Sequence, residues 1–119
     1  MKESIVGGKA YFYALSIIPL YQKMLQQKEY IISRQLLRSS TSIGANIEEA
    51  TAGISRKDFC AKMAIASKEA RESRFWLRLI SDSNLIGEFE FQDLLKEIDE
   101  IIKMLTKIVK TTQIQEIKY

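Results

Sequence analysis

The chain has 119 residues, 46% of them apolar and 28% charged, with a net charge of +3. That length holds one domain with a real core but not two, and the composition excludes a disordered chain. One cysteine, Cys60, excludes an intrachain disulfide, and the lack of histidine excludes the usual structural zinc sites.

No apolar run approaches the ~20 residues that span a bilayer. The opening MKESIVGGKAYF lacks a secretory h-region and cleavage site, so a reducing cytoplasm is the expected location. Residues 1–87 hold 13 basic and 8 acidic side chains, whereas residues 88–119 hold 5 and 7. This uneven bias permits a nucleic-acid or other acidic partner without demanding one.

The first helix is predicted over about 3–26. Val6, Ala10, Tyr13, Ile17, Leu20 and Met24 recur at steps of four and three. Tyr11, Ala14, Ile18, Tyr21 and Leu25 form a second stripe beside them, giving a wide apolar face. Pro19 removes one backbone donor but leaves the pattern intact. It predicts a kink near Leu15 to Pro19 rather than two helices.

The second helix is predicted over about 29–52, with Ile32, Leu36, Ser40, Ile43, Ile47, Ala50 and Ile54 on one face. Gly44 costs ~1 kcal/mol relative to alanine in a helix interior, and close approach of a neighbouring helix is the expected compensation. Gly53 is expected to end the helix in a left-handed conformation. Ser55, with Asp58 three residues on, is expected to cap a third helix over about 55–82.

The fourth helix, about 88–111, opens with the acids Glu88, Glu90 and Asp93, as the helix dipole favours. Phe91, Leu94, Ile98, Ile101, Leu105 and Ile108 keep the four-three spacing, and Lys107 and Lys110 suit its C-terminal end. The tail over 111–119 is expected to fray. Four amphipathic helices with short connections make one all-α domain, an up-down-up-down four-helix bundle.

The third helix has three faces at 100° per residue. Phe59, Met63, Ala66, Ala70, Leu77 and Ile80 are expected in the core. Arg56, Lys57, Lys68, Arg71, Arg74 and Arg78 lie on an adjoining arc about 120° wide. That arc is either a surface that tracks phosphates or a solvated flank in which Lys68 and Arg71 pair with Glu69 and Glu72. Ala61, Ile65, Trp76 and Leu79 are expected to point outward, with Phe75 beside them, as a protein interface does. On the second helix, Thr41 and Ala45 lie opposite the core stripe and are small enough to receive a neighbour. The expectation is a homo-oligomer in which the third helix of one subunit packs on the second helix of another.

Two blocks of sequence carry a resemblance. Leu36-Leu37-Arg38-Ser39 and Ser42-Ile43-Gly44-Ala45-Asn46-Ile47-Glu48-Glu49-Ala50 form the first. Ser55-Arg56-Lys57-Asp58-Phe59, Lys62-Met63-Ala64-Ile65-Ala66, Lys68-Glu69-Ala70-Arg71-Glu72 and Trp76-Leu77 form the second. The chain resembles the bacterial four-helix-bundle proteins of intervening sequences in large-subunit ribosomal RNA genes. It is similar in turn to the accessory variability determinant proteins of diversity-generating retroelements. The resemblance implies a left-handed bundle assembled as a barrel-like homopentamer, and a nucleic-acid role. In the retroelement relatives it implies a reverse transcriptase partner as well. Arg34, Arg38, Lys57, Lys68 and Arg71 match basic positions of the pattern; the family assigns no catalytic residues.

The residues point the same way on catalysis. There is no Gly-rich phosphate loop and no nucleophile with an evident base, so neither an enzyme nor a cofactor is expected. Cys60 reads as a small helix residue beside Arg56 and Lys57. Glu48, Glu49, Glu69 and Glu72 miss the core stripes, so no bundle metal site is expected. Asn46 is expected to bond backbone or a glutamate. The function expected is a non-enzymatic oligomer binding RNA or DNA through a basic surface of helices 2 and 3, with Arg74 and Arg78 joining the matched positions. The alternative is a scaffold for another polypeptide.

Overall fold

The computed structural model describes residues 2–118, with side chains over 5–114. It is all-α: α1 is Lys2–Gln26, α2 Ile32–Thr51, α3 Arg56–Asp82 and α4 Gln92–Lys118. Each helix packs on its chain neighbours, and α4 closes back on α1, so that α1 and α3 lie on one diagonal. The bundle measures 51 × 22 × 20 Å. No helix among the described residues is long and apolar enough to cross a membrane.

The core is the four-three stripes brought together. Val6, Tyr13, Ile17, Leu20, Leu36, Ile43, Met63, Leu77, Ile98 and Leu105 are all fully buried. Each large aliphatic side chain so buried contributes about 1.5–3 kcal/mol. Inside this apolar interior sits one polar cluster. The Tyr13 hydroxyl meets Ser73 Oγ at 2.6 Å, and Ser40 Oγ meets the same oxygen at 2.8 Å. Tyr13 thus reaches across the bundle diagonal from α1 to α3, and Ser40 joins from α2.

Local chemistry fixes the helix ends. Ser55 caps α3, accepting from the Asp58 backbone N–H at 3.0 Å. Glu29 does not start α2, as its sequence position led us to expect. Its carboxylate instead accepts from the N–H groups of Ile32 and Ser33, at 3.2 and 2.7 Å, capping the helix from outside. Two connections turn on left-handed non-glycine residues, Lys28 (φ 63°) and Asn84 (φ 53°). In each, paired backbone bonds close the preceding helix: Glu29 N–H to Met24 O with Lys28 N–H to Leu25 O, and Leu85 N–H to Ile80 O with Asn84 N–H to Ser81 O.

Several expectations are corrected. Gly53 is not left-handed: among glycines only Gly87 has positive φ, at 77°. What favours glycine at 53 is closeness, since a Cβ there would lie 3.1 Å from the Ala50 carbonyl oxygen. Gly44 does face α1, but a Cβ would meet Ala10 at an ordinary 3.8 Å, so packing does not require the glycine. Ile54 falls beyond α2 and is 95% exposed. The second stripe of α1 splits: Tyr11 and Ile18 are exposed, while Ala14, Tyr21 and Leu25 are half-buried. Glu88 and Glu90 precede α4, and Asp93 alone of the three acids sits in its first turn. Residues 111–118 continue α4 rather than fraying, while Tyr119 lies outside the described residues. Pro19 lies inside an unbroken α1 on its exposed side, so its missing donor does not split the helix.

Candidate nucleic-acid interface

The expected basic surface spans helices 2 and 3; the structure turns it toward helix 4. On α2, Arg38 is already engaged. Its guanidinium pairs with Glu69 at 3.0 Å and with Glu72, both on α3. Glu72 also accepts the Trp76 indole N–H at 3.0 Å. The Trp76 hydrogen bond first, and Arg38 next, hold the Glu72 carboxyl below the usual range. In return, Glu72 and Glu69 raise the Arg38 pKa further. Lys62 pairs with Glu49 at 2.7 Å. The α2/α3 flank is therefore largely neutralised. Glu69 and Glu72 pair across helices with Arg38, not along α3 with Lys68 and Arg71.

The α3/α4 flank differs. Lys96, Lys103, Lys107 and Lys110 are all exposed on the outer side of α4. At 100° per residue the four fall within about 60° of one another, a row roughly 21 Å long. Arg71, Arg74 and Arg78 line the adjoining side of α3, within a similar arc. Arg74 Nε donates to Asp99 at 2.6 Å, and Arg71 donates to the Thr106 hydroxyl at 3.1 Å, which fixes the register of the two rows. Between them lies a hollow of about 310 Å³, lined by Arg71, Arg74, Asp99, Ile102 and Lys103. Each guanidinium is thus steadied through one nitrogen and keeps other N–H donors for a ligand. Three cations, Arg71, Arg74 and Lys103, and one carboxylate, Asp99, line the hollow, and Arg78, Lys96, Lys107 and Lys110 extend the two rows beyond it, with Asp82 and Glu100 at their edges.

Of the seven basic positions expected at a site, the structure brings Arg71, Arg74 and Arg78 onto this seam. Lys68 stands on its shoulder. Lys57 lies 14 residues from Arg71 along α3, about 21 Å away. Arg34 is exposed on α2, away from the seam, and Arg38 is consumed by its ion pairs. The α4 lysines were missed. Their spacing of seven, four and three was legible, but summing charge over residues 88–119 averaged this row with the acids around it.

Of the expected interface positions, Thr41 and Ala45 are exposed on α2, and Ile65, Phe75 and Leu79 are exposed on α3. Trp76 is the correction: it is half-buried against the core, with its N–H on Glu72. A larger apolar surface lies on α1. Tyr11 (63% exposed), Phe12 (66%), Leu15 and Ile18 share its outward side. Asn46 bonds the Ser42 carbonyl of its own helix at 2.8 Å.

The model of the 23S rRNA-intervening sequence protein matches residues 2–107 of this chain. The chain belongs to that family. Among solved structures, it is similar to a protein of unknown function from the S23 ribosomal protein family of Bacteroides thetaiotaomicron VPI-5482. The two share 41% identity with a TM-score of 0.85, over 92% of this chain and 99% of that one. No curated protein matches. Membership in the 23S rRNA-intervening sequence protein family points to an RNA-related role for a bundle with a basic flank.

Proposed function

We propose that this protein is a cytoplasmic, non-enzymatic, homo-oligomeric bundle that binds RNA along the α3/α4 seam. The observation that carries the reading is the seam itself, a hollow lined by three cations and one carboxylate between two exposed basic rows. Family membership supports RNA over DNA. Neutralising phosphates releases counterions, so binding must weaken steeply with salt. A titration of labelled structured RNA at about 50 and about 200 mM salt tests this. With four to six phosphates held, affinity should fall on the order of 100-fold or more between the two. No binding at the lower salt would overturn the reading and leave the seam a solvated flank.

Self-association is supported by the outward side of α1. Between Val6 and Gln22 its one charged residue is Lys9, which pairs with Glu100 at 3.1 Å. Exposed Ile65 and Leu79 lie on α3, diagonally opposite. Two different apolar surfaces on opposed helices favour head-to-tail contacts that close into a ring. The left-handed, barrel-like homopentamer that the family resemblance implies is such a ring. The native mass at micromolar concentration should be a multiple of 13.7 kDa. A monomeric mass would instead leave the α1 face for another polypeptide, the scaffold reading. A reverse transcriptase is the partner that the retroelement likeness would supply.

A further inference from the structure

Phe75 is 57% exposed, the most exposed large apolar side chain of α3, and it stands where the apolar outer side of that helix meets its basic side. It lies four residues after Arg71 and three before Arg78, so both cations flank it on one side of the helix surface, with Glu72 and exposed Leu79 on the other. Lys68 is one further turn away. Interface cores are depleted of charge, and the uncharged outward side of α1 fits that description where Phe75 does not. An exposed aromatic ring with cations along one side is what an unpaired nucleotide meets, with its base on the ring and its phosphates on the cations.

The ring is also braced. Trp76 packs against it edge-on, with centroids 5.1 Å apart and planes at 76°. Trp76 is itself seated against the core, and its N–H is held by Glu72, which Arg38 holds in turn. A chain of contacts from α2 through α3 thus presents Phe75 as a fixed platform rather than a swinging side chain. Fixing the ring beforehand lowers the ordering cost of stacking. Elsewhere the seam is made of flexible cations on two rigid helices, suited to backbone and blind to bases.

We propose that Phe75 stacks an unpaired base of the bound RNA, while Arg71 and Arg78 hold the phosphates on either side of it. The seam would then prefer RNA with an accessible unpaired nucleotide, such as a loop or bulge, over a fully paired stem. This rests on the RNA-binding reading of the α3/α4 seam.

The test compares Phe75→Leu and Phe75→Trp with the wild-type chain on two labelled probes, a hairpin with an unpaired loop and a fully paired duplex of equal length. Phe75→Leu keeps apolar area but loses the π face. It should bind the looped hairpin about 10-fold more weakly and the duplex within about two-fold of wild type. Phe75→Trp should retain loop binding. Equal loss on both probes, or loss on neither, overturns the stacking role while leaving the seam as a phosphate binder. A fall in native mass for Phe75→Leu also overturns it, moving Phe75 to a contact between copies. Absence of binding by the wild-type chain to either probe overturns both readings at once.

Discussion

Arg71→Glu combined with Lys103→Glu should weaken RNA binding on the order of 100-fold at about 50 mM salt and leave the bundle folded. Both side chains line the α3/α4 hollow. Arg71 is tied to the protein by one neutral hydrogen bond, to Thr106, so little stability rests on it. Arg74 is left alone because it is paired with Asp99, and reversing it would place two carboxylates together. Each reversal removes a cation from the phosphate path and adds a repulsive charge. The slope of log affinity against log salt should fall by roughly 0.7–0.9 for each phosphate no longer neutralised. Equal affinity in the variant, with an unchanged far-ultraviolet helical spectrum, would refute the seam as the binding surface. Arg34→Glu, a reversal of comparable charge on α2, should change affinity by less than about three-fold by the same argument.

Ser73→Val should lower the free energy of unfolding by about 2–3 kcal/mol. Ser73 Oγ is the shared partner of the Tyr13 and Ser40 hydroxyls, all three inside an apolar core. Valine removes that partner, and two buried hydroxyls lose their hydrogen bond to it. Urea unfolding should show a lower midpoint at an unchanged m-value. The same cluster has a pH signature. Burial, opposed in part by the Ser73 and Ser40 hydrogen bonds and aided by Glu97, pushes the Tyr13 hydroxyl up to about 12. The unfolded tyrosine titrates near 10. Between the two values the unfolded chain binds fewer protons than the folded one, so stability falls as pH rises. The contribution is intact below about pH 10, and about 3 kcal/mol of it is lost by the time pH has passed through about 12. Tyr13→Phe cannot ionise and should lack this alkaline decline. Matching curves for the two proteins from pH 9 to 12 would show that the cluster does not govern it.

The core was legible because it repeats. Phe91, Leu94, Ile98, Ile101 and Leu105 keep one phase through successive turns of α4, and a phase is readable without knowing what packs on it. Ser73 was not legible, although it has the right phase, because a serine there reads as a surface residue until Tyr13 is seen reaching it. Trp76 was misplaced for a related reason. Its angle on α3 lies at the edge of the core arc, and a large ring can turn inward from a position where a small side chain would stay out. Arg38 shows the limit for charge. Sequence gives the sign of a residue, but whether it is free for a partner depends on acids on another helix, here Glu69 and Glu72. The α4 lysines show the converse, since their common phase was present and only the net charge of the segment concealed it.

The outward side of α1 has a bearing on how the protein is made. α1 is the first of the four helices to leave the ribosome, and it is apolar both toward the core and away from it. Its inner side gains one neighbour when α2 arrives, but the other flank waits for α4, the last of the four. At about 5–20 residues per second, roughly 90 residues must follow before that flank is covered, an interval on the order of 5–20 s. Throughout it, the growing chain exposes a helix with no charged side on which to rest in water. Neighbouring ribosomes on one message bring several such chains close together, so that, under the proposed self-association through α1, copies would meet before any one of them is complete. Charged substitutions at Tyr11 or Leu15 would then change the yield of assembled protein more than the stability of the finished bundle.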